Sequence, residues 1–544
     1  MSAYLQSGNN LSDVGNAATA LSNLGAGSIA THLSTDYVPT GSQVISVTDY
    51  PYLATGNGST DDSAAIQSAV NACPVGGAVY FPAPSNAYGI GSTIVLPAGG
   101  NITLIGPNGR YSDFSGTTKG TITALAGSNL DALIAEYYWW NNNTSVISQG
   151  IQISNMVLNC NATNQTGGLG HGYAGKNWRS VMHHSAVVNC KYSSGSFPTF
   201  ISSATRGFTV SAVSGNGTTV TFTCANNFTA SQGIYLQNLA GGFSGLNGNV
   251  TVASASGTQF TVTNATTGAT TTGQASPIDS TNNLIENYID TNTFVGCTHG
   301  PWFNGSKCTD NWVTSNVMAL TGGTGTGVRC ANNSGSGFFI VGNHIYGHAN
   351  GIQAGNISLA TIALNYIEPQ SGSIPASQGT LYGIRLAPNG TGLTVTGNRV
   401  RVATTNPGGN TYIGISAQWV GSGAVSITGN TVDGGTSASD TLVALSRSGG
   451  TTCSVTVAGN NYTPSNSAVE FSNSSTTVTV NGGATYATNL TTTNTEGFDR
   501  LPASAGAPTG VPADLTTGVP FQIDTTNGRL WAYYGGAWHY AAMT

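Results

Sequence analysis

Short hydrophobic segments recur along the chain, and an asparagine stands two residues before an apolar residue in most of them. Examples are Val-Gly-Asn343-His-Ile and Leu-Asn365-Tyr-Ile. From Asn292 onward, successive asparagines lie 22 to 33 residues apart. A repeat of this length with one short apolar strand per unit predicts a solenoid whose units stack on their neighbours. The aligned residues are Asn155, Asn292, Asn316, Asn343, Asn365, Asn398, Asn430 and Asn460.

A column of cysteines supports this register. Cys160 and Cys297 each lie five residues after an aligned asparagine, and Cys190 stands in the same relation to Ser185. Ser185 is therefore the predicted aligned position of the second unit. In a long chain with scattered cysteines, we expect these three to be reduced residues of the hydrophobic core, with no role in metal binding.

The spacing between Ser185 and Asn292 is too long for one unit and indicates an insertion. Residues 204–277 alternate between apolar and polar positions with a period of two, which predicts a small separate β-domain. The repeat then continues to about residue 462.

A glycine opens a strand in each of the middle units, and the residue after it is apolar. Side chains alternate along a strand, so the next residue is predicted to face outward. Stacked strands would place these outward residues about 4.8 Å apart. An aromatic ring, guanidinium groups and an amide along one ridge suit a sugar chain, particularly one with carboxylates, although a plain solvated face remains the alternative. The predicted outward column is Trp302, Arg329, Gln353, Arg385 and Ser416.

Composition narrows the classes of function. Only 6% of residues are charged, 75 are glycine, and the net charge is −6. With no basic stripe to meet phosphates, nucleic-acid binding is not expected. The chain has no apolar run of 18 residues, so no membrane span is expected. Its first residues lack the features of a secretory signal. No residue pattern predicts a metal or another cofactor.

Residues 47–106 carry the clearest family resemblance. The segment VTDYPYLATGNGSTDDSAAIQSAVNAC, followed by GGAVYFP and ITLIGPNG, resembles the N-terminal cap of pectate-lyase-like proteins, a family that includes phage tailspikes and polysaccharide-degrading enzymes. The resemblance implies an all-β fold, a right-handed parallel β-helix. In such folds a buried asparagine ladder joins the turns, and the Asp61-Asp62 pair is structural.

The two termini add a second resemblance. Residues 5–25 are similar to short repeats of phage tail fibres, and aromatic residues crowd a hairpin pattern around Asn527-Gly528 and Gly535-Gly536. This resemblance implies a homotrimer in a phage tail, attached to a tail or baseplate protein through its N-terminus and folded in the host cytoplasm. The aromatic tip would serve as a trimer clasp or bind sugar.

These patterns together predict six segments. They are an N-terminal attachment or neck segment (1–45), a cap (46–125), the first turns (126–203), the inserted β-domain (204–277), the main turns (278–480) and a C-terminal trimerisation tip (481–544).

Candidate catalytic residues are few, and no motif fixes a mechanism. Hydrolysis of a glycoside usually needs two carboxyl groups, which makes Asp290, Glu286 and Asp310 the candidates. A lyase instead needs a base and a cation beside the substrate carboxylate. His183 and His299 are predicted to contact substrate. The alternative is that the carboxylates form ion pairs between turns, as predicted for the column Glu368, Arg401 and Asp433.

The sequence thus favours a tailspike that depolymerises a bacterial capsule, O-antigen or exopolysaccharide. A non-catalytic adhesin on the same scaffold is the main alternative, and a secreted polysaccharide lyase or hydrolase is a third. The aromatic segment 137–143 is predicted to stack on sugar or to pack against a neighbouring subunit.

Overall fold

Three long parallel sheets form the body of the protein. The computed structural model describes residues 44–107, most of 121–320, the strands between 325 and 480, and parts of 503–542. One turn of a parallel β-helix, which we call a rung, takes one or two strands from the largest sheet and one from each of the other two. This is the pectate-lyase-like architecture that the sequence predicted.

The three sheets contain 17, 11 and 11 strands and are called sheets A, B and C. Sheet A comprises Val44–Ser46, Ala78–Tyr80, Thr103–Ile105, Ser148–Gln149, Gln152–Ser154, Asn177–Trp178, Val181–His183, Asn283–Ile285, Tyr288–Asp290, Lys307–Thr314, Gly335–Val341, Ile357–Ser358, Thr361–Ala363, Leu393–Thr396, Ala424–Thr428, Cys453–Ala458 and Val478–Val480. Sheet B comprises Tyr88–Ile90, Ile122–Ala124, Val157–Asn159, Ala186–Val188, Thr293–Val295, Val317–Ala319, His344–Tyr346, Tyr366–Glu368, Arg399–Arg401, Thr431–Asp433 and Asn461–Tyr462. Sheet C comprises Ile94–Val95, Ala132–Ala135, His171–Gly175, Pro198–Ser203, His299–Asn304, Thr326–Cys330, Asn350–Ala354, Thr380–Leu386, Thr411–Trp419, Thr441–Arg447 and Val469–Asn473.

The corner between sheets A and B is made by two residues in each of the main rungs. The first has a positive φ, as at Gly342 (70°) and Leu364 (56°), and the second is the buried asparagine of the predicted ladder. Asn343 donates from its backbone and from Nδ2 to Oδ1 of Asn365, at 3.0 and 2.9 Å. The same pair of bonds joins Asn292 to Asn316 and continues to Asn460, so the ladder is confirmed.

The first predicted member of the ladder was wrong by one residue. Asn155 is exposed and has a φ of 55°, so it occupies the left-handed corner position, and the buried Met156 takes the ladder position. Met156 donates its backbone N–H to the Ser185 hydroxyl, and Ser185 donates to Asn292 Oδ1, so the assignment of Ser185 is confirmed. Asparagines are common in both positions because they tolerate positive φ, which is why the sequence did not separate them.

The interior of the β-helix is a continuous column of apolar side chains. Val328, Ile352, Ile384 and Ile415, the residues that follow the strand-opening glycines, all lie in it. Cys160, Cys190 and Cys297 also lie there, with the Sγ atoms of Cys160 and Cys190 2.7 Å apart. Burial raises the pKa of the Cys160 and Cys190 thiols, as expected of core residues.

A helix, Ser63–Ala72, covers the N-terminal end of the core with Ile66, Ala69 and Val70. The aspartates before it hold the local backbone. Asp61 Oδ1 accepts from the N–H groups of Ser63 and Gly91, both at 3.0 Å, and Asp62 accepts from Thr55 and Gly56. Both aspartates therefore have structural roles.

The insertion between the fourth and fifth strands of sheet C has a core of its own, around Val220, Phe222 and Phe260. Its strands form two antiparallel sheets, D and E. Sheet D contains Phe208–Val210, Gly233–Gln237, Gly248–Thr251 and Gly273–Pro277, and sheet E contains Ala212–Asn216, Thr219–Thr223, Ser254–Ala255, Gln259–Thr263 and Thr267–Thr270. Short 3-10 helices occur at Ala162–Asn164 and Gly241–Leu246.

Residues 482–544 form a separate compact unit. Its sheet F comprises Ala503–Ser504, Phe521–Asp524, Arg529–Tyr534 and Ala537–Ala542, with the last three strands antiparallel as the hairpin pattern predicted. Trp531 and Tyr533 are buried within it. Residues 1–43 of the predicted neck lie outside the described residues. No described helix is long and apolar enough to cross a membrane.

Candidate functional site

The predicted outward column on sheet C is present. Strand pairing places Trp302 beside Arg329, Arg329 beside Gln353, Gln353 beside Arg385 and Arg385 beside Ser416. The residues on either side of this column point into the core, as Val328 and Cys330 do around Arg329. Arg329, Gln353 and Arg385 are half-buried, so each side chain reaches the outer surface of sheet C.

Trp302 is not the exposed sugar platform that the sequence predicted. Its side chain lies outside the core of the β-helix but is only 8% exposed, because it packs with Ala174 and Trp139 in a separate cluster. Trp139 belongs to a short helix, Tyr137–Trp140, whose first N–H groups donate to the carboxylate of Glu136. Trp139 is therefore covered by its own chain, whereas Tyr137 of the same segment is exposed.

His299 is a buried polar residue beside Trp302, and the centroids of the two rings lie 5.9 Å apart. The N–H of Thr326 donates to its Nδ1 at 3.0 Å, so a neutral ring carries its proton on Nε2. Burial lowers the pKa of His299 to about 3, assisted by the positive charge of Arg329 and by His348. His299 is thus a neutral hydrogen-bond donor, and its Nε2 is buried without a protein acceptor among the described residues.

Each arginine of the column rests on an aromatic ring. The Arg329 guanidinium carbon lies 4.4 Å from the centroid of Trp302, and that of Arg385 lies 4.8 Å from the centroid of Tyr382. Cation–π contacts of this kind fix the orientation of a guanidinium group without neutralising it. Nε of Arg329 and Nε1 of Trp302 are also buried donors without a partner among the described residues.

The inserted domain borders this face of the β-helix. Asn142, which follows the helix of Trp139, accepts from the N–H of Gly207 at 2.7 Å at the base of the insertion. Tyr235, from sheet D of the insertion, is close enough to interact electrostatically with Arg329. The insertion therefore influences the charge of a column residue, which the sequence did not predict.

The three candidate catalytic carboxylates lie on a different sheet, at the outer surface of sheet A. Asp290 accepts from the hydroxyls of Thr291 and Thr314, both at 2.7 Å, and Glu286 forms an ion pair with Arg179. Asp310 Oδ1 lies over Gly337, where a Cβ would collide with it. The sequence reasoning had placed these carboxylates beside the Trp302 column, but the structure separates them from it.

His183 is also on sheet A, where it pairs in register with Asp290 as predicted. Its Nδ1 lies 2.8 Å from Nδ1 of His184. Burial and the neighbouring His184 lower the pKa of His183, and Asp290 opposes them. The predicted substrate-binding residues are thus divided between two faces, with Trp302, Arg329, Gln353, Arg385 and His299 on sheet C and His183 on sheet A.

Sequence reasoning missed a stack of aromatic rings on sheet A. Tyr288 and Trp312 are 4.4 Å apart and nearly parallel, and Phe339 continues the stack at 5.3 Å from Trp312. Each lies four residues before a ladder asparagine, so the alignment contained this column. The ion-pair column on sheet B was predicted correctly: Arg401 pairs with Glu368 and lies in register with Asp433, which pairs with Arg399.

Comparison with known proteins agrees with this architecture. A family model described as rhamnogalacturonase A/epimerase, pectate lyase-like, matches residues 44–300, from the first strand of sheet A to the strand of Trp302. No curated protein matches the sequence.

Three solved structures have a similar course of the chain. DFA-IIIase from Arthrobacter chlorophenolicus A6 has 10% identity and a TM-score of 0.46, over 80% of this chain and 93% of its own. The Streptococcus pneumoniae surface adhesin PfbA has 11% identity and a TM-score of 0.42, over 92% and 98%. Tailspike protein 2 of Escherichia coli O157:H7 bacteriophage CAB120 has 12% identity and a TM-score of 0.40, over 81% and 42%. Similarity this distant transfers no activity.

Proposed function

We propose that this protein is a phage tailspike that binds a bacterial surface polysaccharide along the outer face of sheet C and depolymerises it. The observation that carries the proposal is the column Arg329, Gln353 and Arg385, which offers two cations and an amide on successive rungs of one face. The pectate lyase-like family match over residues 44–300 agrees with a polysaccharide substrate.

The setting of the column suits an extended polymer. Rungs repeat about every 4.8 Å along the β-helix axis, so a glycan that lies along the axis meets a new outward side chain at each rung. The cluster of Trp139 and Trp302 lies at one end of the column, and Tyr235 of the insertion interacts electrostatically with Arg329. Nε2–H of His299 is enclosed, so we expect a glycan to reach it only after the neighbouring side chains shift.

The chemistry on sheet C favours elimination over hydrolysis. Tyr382 and Arg385 lie together there, and a tyrosine base with a cation beside the substrate carboxylate is the pairing that a lyase requires. The carboxylates considered for hydrolysis, Asp290, Glu286 and Asp310, belong to the other face. We propose Tyr382 as the base and Arg385 as the group that stabilises the carboxylate next to the abstracted proton.

A non-catalytic adhesin is the second candidate. The engagement of Glu286 with Arg179, and of Asp290 with two threonine hydroxyls, favours it because neither carboxylate is poised for chemistry. In this case the same column binds the glycan and nothing is cleaved.

One assay separates these functions. The purified chain is incubated with surface polysaccharides of candidate hosts, and binding, new reducing ends and absorbance of unsaturated uronates are measured together. A lyase gives all three signals, a hydrolase lacks the absorbance, and an adhesin gives binding alone. If no polysaccharide binds, the proposal is wrong.

Two variants locate the reaction. We expect Tyr382→Phe to bind but to lose cleavage. Loss of cleavage in Asp290→Asn, with Tyr382→Phe still active, would place the reaction on sheet A and contradict the assignment to sheet C.

The tailspike proposal includes assembly as a homotrimer on the virion, anchored through the N-terminus to a tail or baseplate protein. The tail-fibre-like segment 5–25 supports it. Mass measurement in native buffer should give three times the chain mass of 55.1 kDa, and a monomer would contradict it.

A further inference from the structure

The β-helix arginines whose side chains the structure describes fall into two groups. Arg179, Arg399 and Arg401 each pair with a carboxylate, namely Glu286, Asp433 and Glu368. Arg329 and Arg385 have no carboxylate partner among the described residues, although both are more enclosed than the paired arginines. Both unpaired arginines lie in the outward column of sheet C.

An enclosed cation without a counter-ion is unfavourable, because it has lost water without gaining an opposite charge. Two such cations, Arg329 and Arg385, lie on aromatic rings of one face, which indicates that an anion completes each site. Three unpartnered donors belong to neighbouring side chains at the Arg329 site, namely Nε of Arg329, Nε1 of Trp302 and Nε2 of His299. The Arg329 guanidinium carbon lies 4.4 Å from the Trp302 ring centroid, and the His299 ring centroid lies 5.9 Å from it. All three are donors, so the missing partner is an acceptor.

The spacing of the two arginines restricts where the anions lie on a glycan. Gln353 stands between them in register, so their backbones are two rungs, or about 9.6 Å, apart. One rung is close to the length of one pyranose residue. The neutral amide of Gln353 therefore faces a sugar between the two that Arg329 and Arg385 contact.

Building on the proposed function, we infer that the substrate is an acidic polysaccharide whose carboxylates are on non-adjacent sugars, one bound by Arg329 and the other by Arg385. The net charge of −6 argues against general attraction of polyanions by the protein. We therefore assign the preference for an acidic polymer to these two positions.

The test uses the full chain and an array of purified bacterial polysaccharides whose repeating units are known. We expect the bound polymers to carry spaced carboxylates and to lose binding once those carboxyl groups are reduced to alcohols. Binding of a neutral polymer, or binding that survives carboxyl reduction, would refute the inference and the elimination mechanism, while leaving the proposed binding of a surface polysaccharide intact. Equal binding of polymers that carry an acid only on every third sugar would refute the spacing.

Arginine variants give an independent measurement on a bound polymer. Arg329→Gln and Arg385→Gln should each weaken binding about tenfold, the effect of losing one charge-assisted hydrogen-bonding group. Arg401→Gln removes a paired arginine from sheet B and is the matched control. Unchanged affinity in both sheet C variants overturns the inference, and an array without any bound polysaccharide overturns the proposed function as well.

Discussion

Asn343 links three consecutive rungs. Oδ1 of Asn343 accepts from the backbone N–H and Nδ2 of Asn316. Nδ2 of Asn343 donates to Oδ1 of Asn365 and to the carbonyl of Val313. Replacing Asn343 or Asn365 with Leu leaves buried partners unsatisfied, so we expect each variant to lose about 1–3 kcal/mol of stability. Urea denaturation measures the loss. Gln152→Leu, on the exposed outer face of sheet A, is the control and should change stability little. Unchanged midpoints for both asparagine variants would mean that the ladder does not stabilise the fold.

Trp302 shows what the sequence could predict for a single residue. Alternation along the strand correctly placed its side chain outside the core, but the cover came from Trp139, which is distant in sequence and whose position depends on a tertiary contact. Trp302→Ala should therefore destabilise the protein, by about 3–5 kcal/mol. Calorimetry should show a lower melting temperature, with a smaller decrease for Trp302→Phe. An unaltered melting temperature for Trp302→Ala would show that the cluster contributes nothing.

Within one element, the column on the outer face of sheet B allows a prediction of pH dependence. Hydrogen bonds from Tyr366 and His344, with the charges of His344 and Arg401, lower the pKa of Glu368 below its usual 4.5 against the opposing effect of burial. A carboxylate with a lowered pKa in the folded state stabilises the protein above the unfolded pKa, and this contribution is lost as pH falls through the folded pKa. The melting-temperature difference between wild type and Glu368→Gln should thus shrink as pH falls below about 4.5. A difference that grows on acidification would contradict it.

Registers of whole columns were predictable from the sequence because the ladder fixes one residue in every rung and strand alternation fixes its neighbours. The sheet to which each strand belongs was not predictable from the sequence. The spacing from Asp290 to Trp302 does not show that the chain turns two corners between them. The candidate site was therefore predicted as one patch and is divided between sheets A and C.

At the scale of the whole molecule, the insertion should be separable from the β-helix. Its core is distinct, and its ends are adjacent because Phe208 pairs with Ala275. Replacing residues 208–275 with a short Gly-Ser linker should leave the circular dichroism and melting of the β-helix nearly unchanged, while altering glycan affinity through the loss of Tyr235. An insoluble or unfolded product would show that the insertion is part of the folding unit. Tyr235→Ala provides the matched point variant.

The two-residue corner between sheets A and B has a consequence for the length of the rungs. Ladder spacings range from 22 to 33 residues although this corner keeps its length from Asn292 to Asn430, so the differences in spacing arise elsewhere in the rungs. The other two corners border sheet C. Loops beside the proposed glycan-binding face can therefore differ in length from rung to rung, while the bend between sheets A and B keeps every rung in phase.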